Sequence, residues 1–232
     1  MGIKQRRRRE REYRRQQILD AARILLFENG LKAVSVNRIA RRAELAVGTI
    51  YFYFRSKEEI CAALQEEGLT LLLNDVRSSL TSGTDAREHL HNIAQAYLNF
   101  SREQKNYFDV INYFLSSGDV LLTPEIKQQV DRQGNRILKV VEQTLQRGVD
   151  NGQFRVSDIR RHALLFWVIL HGLVPFRKMK DTILSGDSLP GIYRFAVNHF
   201  INGLSESRSD EDCQATGFRE QGNTVSGRKN SD

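Results

Sequence analysis

Residues 51–54 read "YFYF", four consecutive aromatics in a chain of 232 residues. A helix spreads four successive side chains round most of its circumference, and a strand alternates them between two faces. No single core takes all four, so some must be buried while others meet a partner or solvent. The flanking pattern favours a helix. Ile50 and Phe54 are four apart and can share an inward face. Val47, Gly48, Thr49, Phe52 and Tyr53 are then left to face outward. A short helix with an apolar underside and a mixed outer face is the expectation for 47–52.

The same helical spacing runs along the chain, which has only 3 prolines and little strand-type alternation. From Gln17, residues Ile18, Ala21, Ala22, Leu25 and Leu26 form a stripe that ends at Gly30. Ser35 is the N-cap of a second short helix carrying Val36, Ile39, Ala40 and Ala43. A tight turn at Glu44, Leu45 and Ala46 leads into the aromatic segment. Ser56 and Glu59 make a capping box for a fourth helix, with Ile60, Ala63, Leu64, Leu71 and Leu72 buried. Further helices are expected over 85–102, 105–115 and 124–149, with Thr123 and Pro124 as N-cap and first position. Ser157 is read as the cap of a helix running to Val174, interrupted by Pro175, and a last helix follows Pro190. The fold class is therefore all-α. Residues 1–15 are read as a basic arm without fixed structure, 16–56 as a three-helix head, 57–204 as a helical body and 205–232 as a disordered tail.

Charge is divided along the same line. Residues 1–57 hold 15 Lys/Arg against 5 Asp/Glu, although the net charge of the whole chain is only +7. A basic head on a mildly acidic body points to a polyanion as partner. Two cysteines, Cys61 and Cys213, have no metal-ligand spacing, and a reducing cytoplasm is the natural setting. His162, His171 and His199 are too irregularly spaced for a metal site. The longest apolar run, 163–170, is too short for a bilayer. No nucleophile motif, phosphate loop or carboxylate pair argues for catalysis, and no cofactor or metal is expected.

Two short helices joined by a tight turn after a first helix form a helix-turn-helix. Gly48 lets the second of the pair approach a DNA surface closely. Thr49 can bond a phosphate or touch a thymine methyl. Tyr53 and Lys57 offer a hydroxyl and a charge to phosphate, and Tyr51 packs its ring while its hydroxyl reaches outward. Arg6, Arg7, Arg8 and Arg9, with Arg11, Arg14 and Arg15, are expected to meet phosphates or the minor groove. A solvated charge block, or a segment for RNA or a membrane surface, is the alternative. The segment lacks the apolar face that membrane binding needs.

Together, Ala21-Ala22, Phe27, Gly30, Ser35-Val36, Ile39-Ala40, Ala43, Gly48-Thr49, Ile50-Tyr51, Tyr53-Phe54 and Ser56-Lys57-Glu58 resemble the DNA-binding segment of the tetracycline-repressor family. The resemblance covers about fifty residues. It implies DNA contacts at Ser35, Val36, Val47, Gly48, Thr49, Tyr51, Phe52, Tyr53 and Lys57. Beyond it, the chain matches only in helix number and length. Three positions depart from the family pattern. Glu44 stands where a glycine is usual, Ala46 where a serine caps the recognition helix, and Val47 where the first groove residue is commonly polar. A lost N-cap typically costs about 1 kcal/mol.

The resemblance also implies a homodimer on a palindromic double-stranded operator, released by an unidentified small-molecule effector held among body helices. Of the body aromatics, Tyr97, Phe108, Tyr113, Phe114 and Trp167, with His171, are the candidates for that site. Ordinary core packing is the alternative for each. The segments 163–174 and 192–201 are apolar enough to pair with a second copy, with Phe195 and Phe200 at the contact. The function read is a ligand-responsive transcriptional repressor. A constitutive dimeric DNA-binding protein, or a helical enzyme with a basic arm, is the alternative.

Overall fold

The computed structural model describes residues 2–80, 85–116, 123–179 and 187–205. The expected tail beyond Ser205, Cys213 included, lies outside these residues. All regular structure in the described part is helical. The elements are α1 (Ile3–Asn29), α2 (Val36–Arg42), α3 (Val47–Tyr53), α4 (Lys57–Ser78), α5 (Ala86–Glu103), α6 (Lys105–Ser116), α7 (Pro124–Asp150), α8 (Ile159–Leu173) and α9 (Leu189–Gly203). Short 3-10 turns cover Leu31–Ala33 and Val174–Met179.

The capping chemistry fixes most of these starts. Side chains of Ser35, Ser56, Asp85 and Thr123 accept from the backbone N–H three residues on. At Ser56 the box is reciprocal in an extended form, because Glu59 reaches back to the Arg55 N–H at 2.6 Å. Asp158 rather than Ser157 caps α8, and α8 gives way to the 3-10 turn before Pro175, whose ring cannot continue a helix. Leu71, expected in the α4 stripe, is exposed.

The largest correction is at the N-terminus. Residues 3–15 are not an unstructured arm but the first turns of α1, a single helix of 27 residues. Such a helix is about 40 Å long. Its first buried residue is Ile18, so residues 3–13 stand clear of the core as roughly three exposed turns. Few apolar residues suggested disorder, but arginine, glutamine and glutamate are all good helix formers. The packed stripe from Ile18 supplies the nucleus from which they propagate.

α1, α2 and α3 pack on one another, and α1 rests on α4. α4 is the central element, packed against α5, α6 and α7, while α8 lies between α7 and α9. The buried residues form one continuous cluster from Ile18 to Leu204. By length and composition the segment Ile159–Arg177 could cross a bilayer, longer than the run recognised in the sequence. One side of α8 is packed through Ala163, Phe166 and Leu170, while Leu164, Leu165 and Val168 face outward.

A candidate nucleic-acid interface and an aromatic cluster in the body

α3 divides its aromatics as its short length demands. Ile50 and Phe54 are buried, whereas Phe52 is 74% and Tyr51 53% exposed. Val47 and Gly48 also face solvent, Thr49 is half-buried, and Tyr53 packs partly on the core with its ring edge-on to Phe52 at 5.1 Å. The outer face therefore consists of Val47, Gly48, Tyr51 and Phe52, with Thr49 and Tyr53 at its margins. A Cβ at Gly48 would meet nothing within 4 Å, so the bare surface there is not imposed by the protein's own packing. Ser35 and Val36, at the start of α2, are half-buried and serve the fold first, Ser35 as the cap and Val36 against the core.

The turn between α2 and α3 is closed by the Leu45 N–H bonding to the Ala40 carbonyl at 2.9 Å. Glu44 has φ 55°, the only positive φ at a non-glycine among the described residues. The left-handed region favours glycine, the residue of the family pattern at this position, since a side chain there clashes with its own backbone. Ala46 is the N-cap of α3 and gives it no side-chain hydrogen bond. The first N–H groups of α3 thus remain available to an external acceptor.

Not all the arginines expected at DNA are free to go there. Arg15 lies with its guanidinium 4.1 Å from the Phe54 ring centroid and donates to the Tyr53 carbonyl at 3.1 Å. It also stands 3.8 Å from the Glu59 carboxylate. Arg15 therefore closes the C-terminal end of α3 against α4, and its role is positioning. Arg14 donates to Gln17, and Gln17 in turn caps the end of α2 at the Ala43 carbonyl, 2.9 Å away. Arg6, Arg7, Arg8 and Arg11 lie exposed on the first turns of α1, as does Arg9. Lys57 is half-buried at the first position of α4. Arg38, Arg41 and Arg55 are exposed on the same head and were not singled out in the sequence. Arg38 and Arg41 carry the signal of charge on the outer face of a helix whose inner face is apolar, whereas Arg55 lies in the bend before the Ser56 cap.

In the body, four of the six candidate residues meet. The Tyr97 ring is edge-on to Trp167 at 5.2 Å and to Phe108 at 6.0 Å, and Phe108 lies 5.8 Å from His171. The Tyr97 hydroxyl and His171 Nδ1 are 2.5 Å apart. Burial pushes the Tyr97 hydroxyl well above its ordinary pKa and pulls the His171 imidazolium below its own, so both are neutral near pH 7. With the imidazole proton on Nε2, tyrosine donates and Nδ1 accepts. Tyr113 and Phe114 pair with each other instead, ring centroids 5.3 Å apart. The Tyr113 hydroxyl is pushed up by burial and by the nearby Glu58 and Cys61 on α4. His162 bonds the Asp158 carbonyl and His199 stacks on Phe195, so neither takes part. Cys61 is fully buried, which pushes its thiol up to about 11 and away from redox chemistry. Among the described residues no group of three or more His, Cys, Asp and Glu is placed to hold a metal ion.

One polar network joins head and body. Arg23 on α1 forks onto both Glu67 oxygens of α4, at 2.9 and 2.8 Å, and holds Asp20 at 2.6 Å. The Tyr107 hydroxyl of α6 donates to the same Glu67 at 3.0 Å. The Tyr107 ring is edge-on to Phe27 of α1 at 5.3 Å, and the Tyr107 side chain lies on Gly68, where an added Cβ would come within 2.9 Å of the Tyr107 Cβ and 3.1 Å of its ring. Tyr107 thus touches the head while its neighbour Phe108 belongs to the aromatic cluster. Spacing did not reveal this, because α6 alone does not say which of its faces meets α1.

Comparison with known proteins agrees with these two halves. The family of bacterial regulatory proteins called tetR matches residues 18–64, and a tetracyclin repressor-like C-terminal domain matches residues 90–184. The fatty acid metabolism regulator protein of Bacillus subtilis is 26% identical over 145 residues, covering 62% of this chain and 73% of that protein. The transcriptional regulator YhgD of the same organism is 24% identical over 198 residues, 83% of this chain and 97% of the relative. The solved structure of FadR from Bacillus subtilis in complex with stearoyl-CoA superposes with a TM-score of 0.63 at 23% identity, covering 82% and 98% of the two chains.

Proposed function

The chain belongs to the tetR family of DNA-binding transcriptional regulators, which are not enzymes, and from that premise we propose that it is a homodimeric repressor released from a palindromic operator by an apolar effector. The observation that carries the DNA contact is the outer face of α3. Phe52, Tyr51 and Val47 are held in solvent by a helix anchored on Ile50 and Phe54. Exposing a large aromatic forfeits its burial, so a partner that covers the face accounts for it. The groove residues are Val47, Gly48, Thr49, Tyr51 and Phe52. Tyr53, Lys57 and the arginines of α1 supply phosphate contacts. The helical start of α1 favours phosphate contacts by Arg6 to Arg9 over entry into the minor groove as an extended strand.

One recognition helix reads too few bases for high specificity, and two-fold pairing doubles them. Leu164, Leu165 and Val168 on α8 and Phe195 on α9 form the exposed apolar face that supports this pairing. Phe200 is no part of it, being 8% exposed and packed on Phe166 at 5.0 Å. Gly172 is exposed with open space above it, which permits close approach.

The effector site is the cluster of Tyr97, Phe108, Trp167 and His171. Apolar, neutral side chains of this kind suit an acyl chain, in keeping with a relative named for fatty acid metabolism and a neighbour that holds stearoyl-CoA. A ligand that shifts Phe108 also shifts Tyr107, and with it the Glu67–Arg23 link to α1. Selecting fragments from a random DNA pool with the purified protein tests the whole reading. A two-fold symmetric motif that long-chain acyl-CoA releases is the expected result. An asymmetric motif excludes the dimer, and a symmetric one that no acyl compound releases leaves a constitutive DNA-binding protein.

A further inference from the structure

A separate hollow of about 370 Å³ lies one helical turn beyond Tyr97. It is lined by Ser101 and Arg102 at the end of α5, Arg177 of the 3-10 turn, and Asp187, Ser188, Leu189 and Pro190 at the start of α9. Its walls are mostly carbon, with two guanidinium groups among its lining residues. Arg177 donates to the Ser101 carbonyl at 3.0 Å, lies 3.8 Å from Asp109, and sits with its guanidinium 5.7 Å from the Phe108 ring centroid. One hydrogen bond and a loose ion pair leave most of its five N–H donors unused. The Arg102 side chain is exposed and makes no ion pair or hydrogen bond among the described residues. The start of α9 adds little, since Pro190 has no N–H and the Gly191 N–H is taken by Ser188 at 3.1 Å.

We propose that this hollow is a headgroup subsite, in which Arg102 and Arg177 hold the anion of an amphiphilic effector whose tail runs past Phe108 into the aromatic cluster. The placement of Arg177 carries the proposal. It lines the hollow and at the same time covers Phe108, so an anion bound there has its apolar attachment beside the cluster. Two planar cations in a partly enclosed site suit a carboxylate or a phosphate. A neutral lipid gains nothing from them, and a cationic one is repelled. Asp187 and Asp109 keep the site from being uniformly positive and favour ligands that can take up Arg177 without stripping Asp109 away. The proposal rests on the effector reading above and adds to it the charge class of the ligand.

The test is calorimetry on the full chain without DNA, using myristate, myristoyl-CoA, tetradecanol and coenzyme A. Myristate or myristoyl-CoA is expected to bind well and tetradecanol weakly. Binding of myristate alone identifies a carboxylate site, and binding of myristoyl-CoA alone a phosphate site. Arg102→Ala, at an exposed position that leaves the fold intact, should weaken the anionic probe by about 10-fold, with Arg102→Lys recovering part of the loss. Tetradecanol binding should not change. Equal affinity of the alcohol and the anion, an Arg102→Ala variant that binds like the unmodified protein, or no binding of any probe overturns the subsite. Anion-selective binding that does not release operator DNA leaves the subsite standing and overturns the effector reading instead.

Discussion

Phe52 and Phe108 are the same residue type used in opposite ways. Phe52 stands 74% exposed on the two-turn helix α3, and Phe108 is 1% exposed between α5, α6 and α8. The first is informative on its own, because apolar exposure has a free-energy cost that only a partner removes. The second could be ordinary core, and it gains meaning only from its neighbours Tyr97, His171 and Arg177. On the proposed reading the head displays its working groups and the body encloses them. The outer face of α8 and α9 follows the logic of the head although it belongs to the body, and breaking that face should give the largest effect. Val168→Glu with Phe195→Glu is expected to yield monomers, with operator affinity lower by about 100-fold or more through loss of the paired head. Sedimentation with DNA titration checks both. A dimer that persists would return α8 and α9 to the enclosed class. Phe200 is unsuitable for this test, since charge there would disrupt the core against Phe166.

The exposed turns of α1 sharpen the comparison next. Removing residues 2–12 takes away Arg6 to Arg9 and Arg11 but leaves Arg15 and the α3 clamp in place. Affinity for all DNA should fall alike. The log–log salt slope should flatten by about 0.9 for each phosphate that is no longer neutralised by an arginine. An unchanged slope would show that the helix displays its charge to something other than DNA.

The sequence was legible where a local chemical signal marks an element. Ser35, Ser56 and Thr123 announce their helices because a cap is a contact between residues three apart. The inward pair Ile50 and Phe54 and the outward Val47 and Phe52 follow from helical period alone. Signals failed where the answer is long-range. Arg15 looked like one more arginine of a basic run until α1 was placed against Phe54 and Glu59. Phe195 and Phe200 are alike in the pattern, yet one is exposed and one is core. Tyr107 and Phe108 are adjacent, and only the packing of α6 against α1 on one side and α5 on the other divides their roles. Composition misled at residues 3–13, where scarcity of apolar residues suggested disorder and helix propensity prevailed.

The Tyr107–Glu67–Arg23 network is where displayed and enclosed groups meet, so Tyr107→Phe asks whether the two regions are in fact coupled. The ring remains on Gly68 and Phe27, and only the hydroxyl's bond to Glu67 is removed. DNA affinity and acyl-CoA affinity measured separately should each change little. Their coupling, typically about 1–3 kcal/mol, should shrink, and by the same factor whichever ligand is titrated first. Full coupling in the variant would place the relay elsewhere on α4.

The smallest effect is expected at Glu44, and it separates the fold of the head from its function. At φ 55° the residue bears a side chain where the backbone favours none. Glu44→Gly should therefore stabilise the protein by about 1 kcal/mol at most, since relief of the left-handed strain is partly offset by the greater flexibility of glycine in the unfolded chain. The substitution also removes an exposed carboxylate from the turn that leads into α3. Denaturant unfolding reads the first consequence, and operator titration at two salt concentrations reads the second. Tighter binding at low salt with a smaller gain at high salt is the signature of a removed like charge near phosphate. A gain in stability with no change in binding would mean that the turn faces away from the DNA. A gain in binding equal at both salts would mean that ordering of α3, rather than charge, is what the acidic side chain impairs.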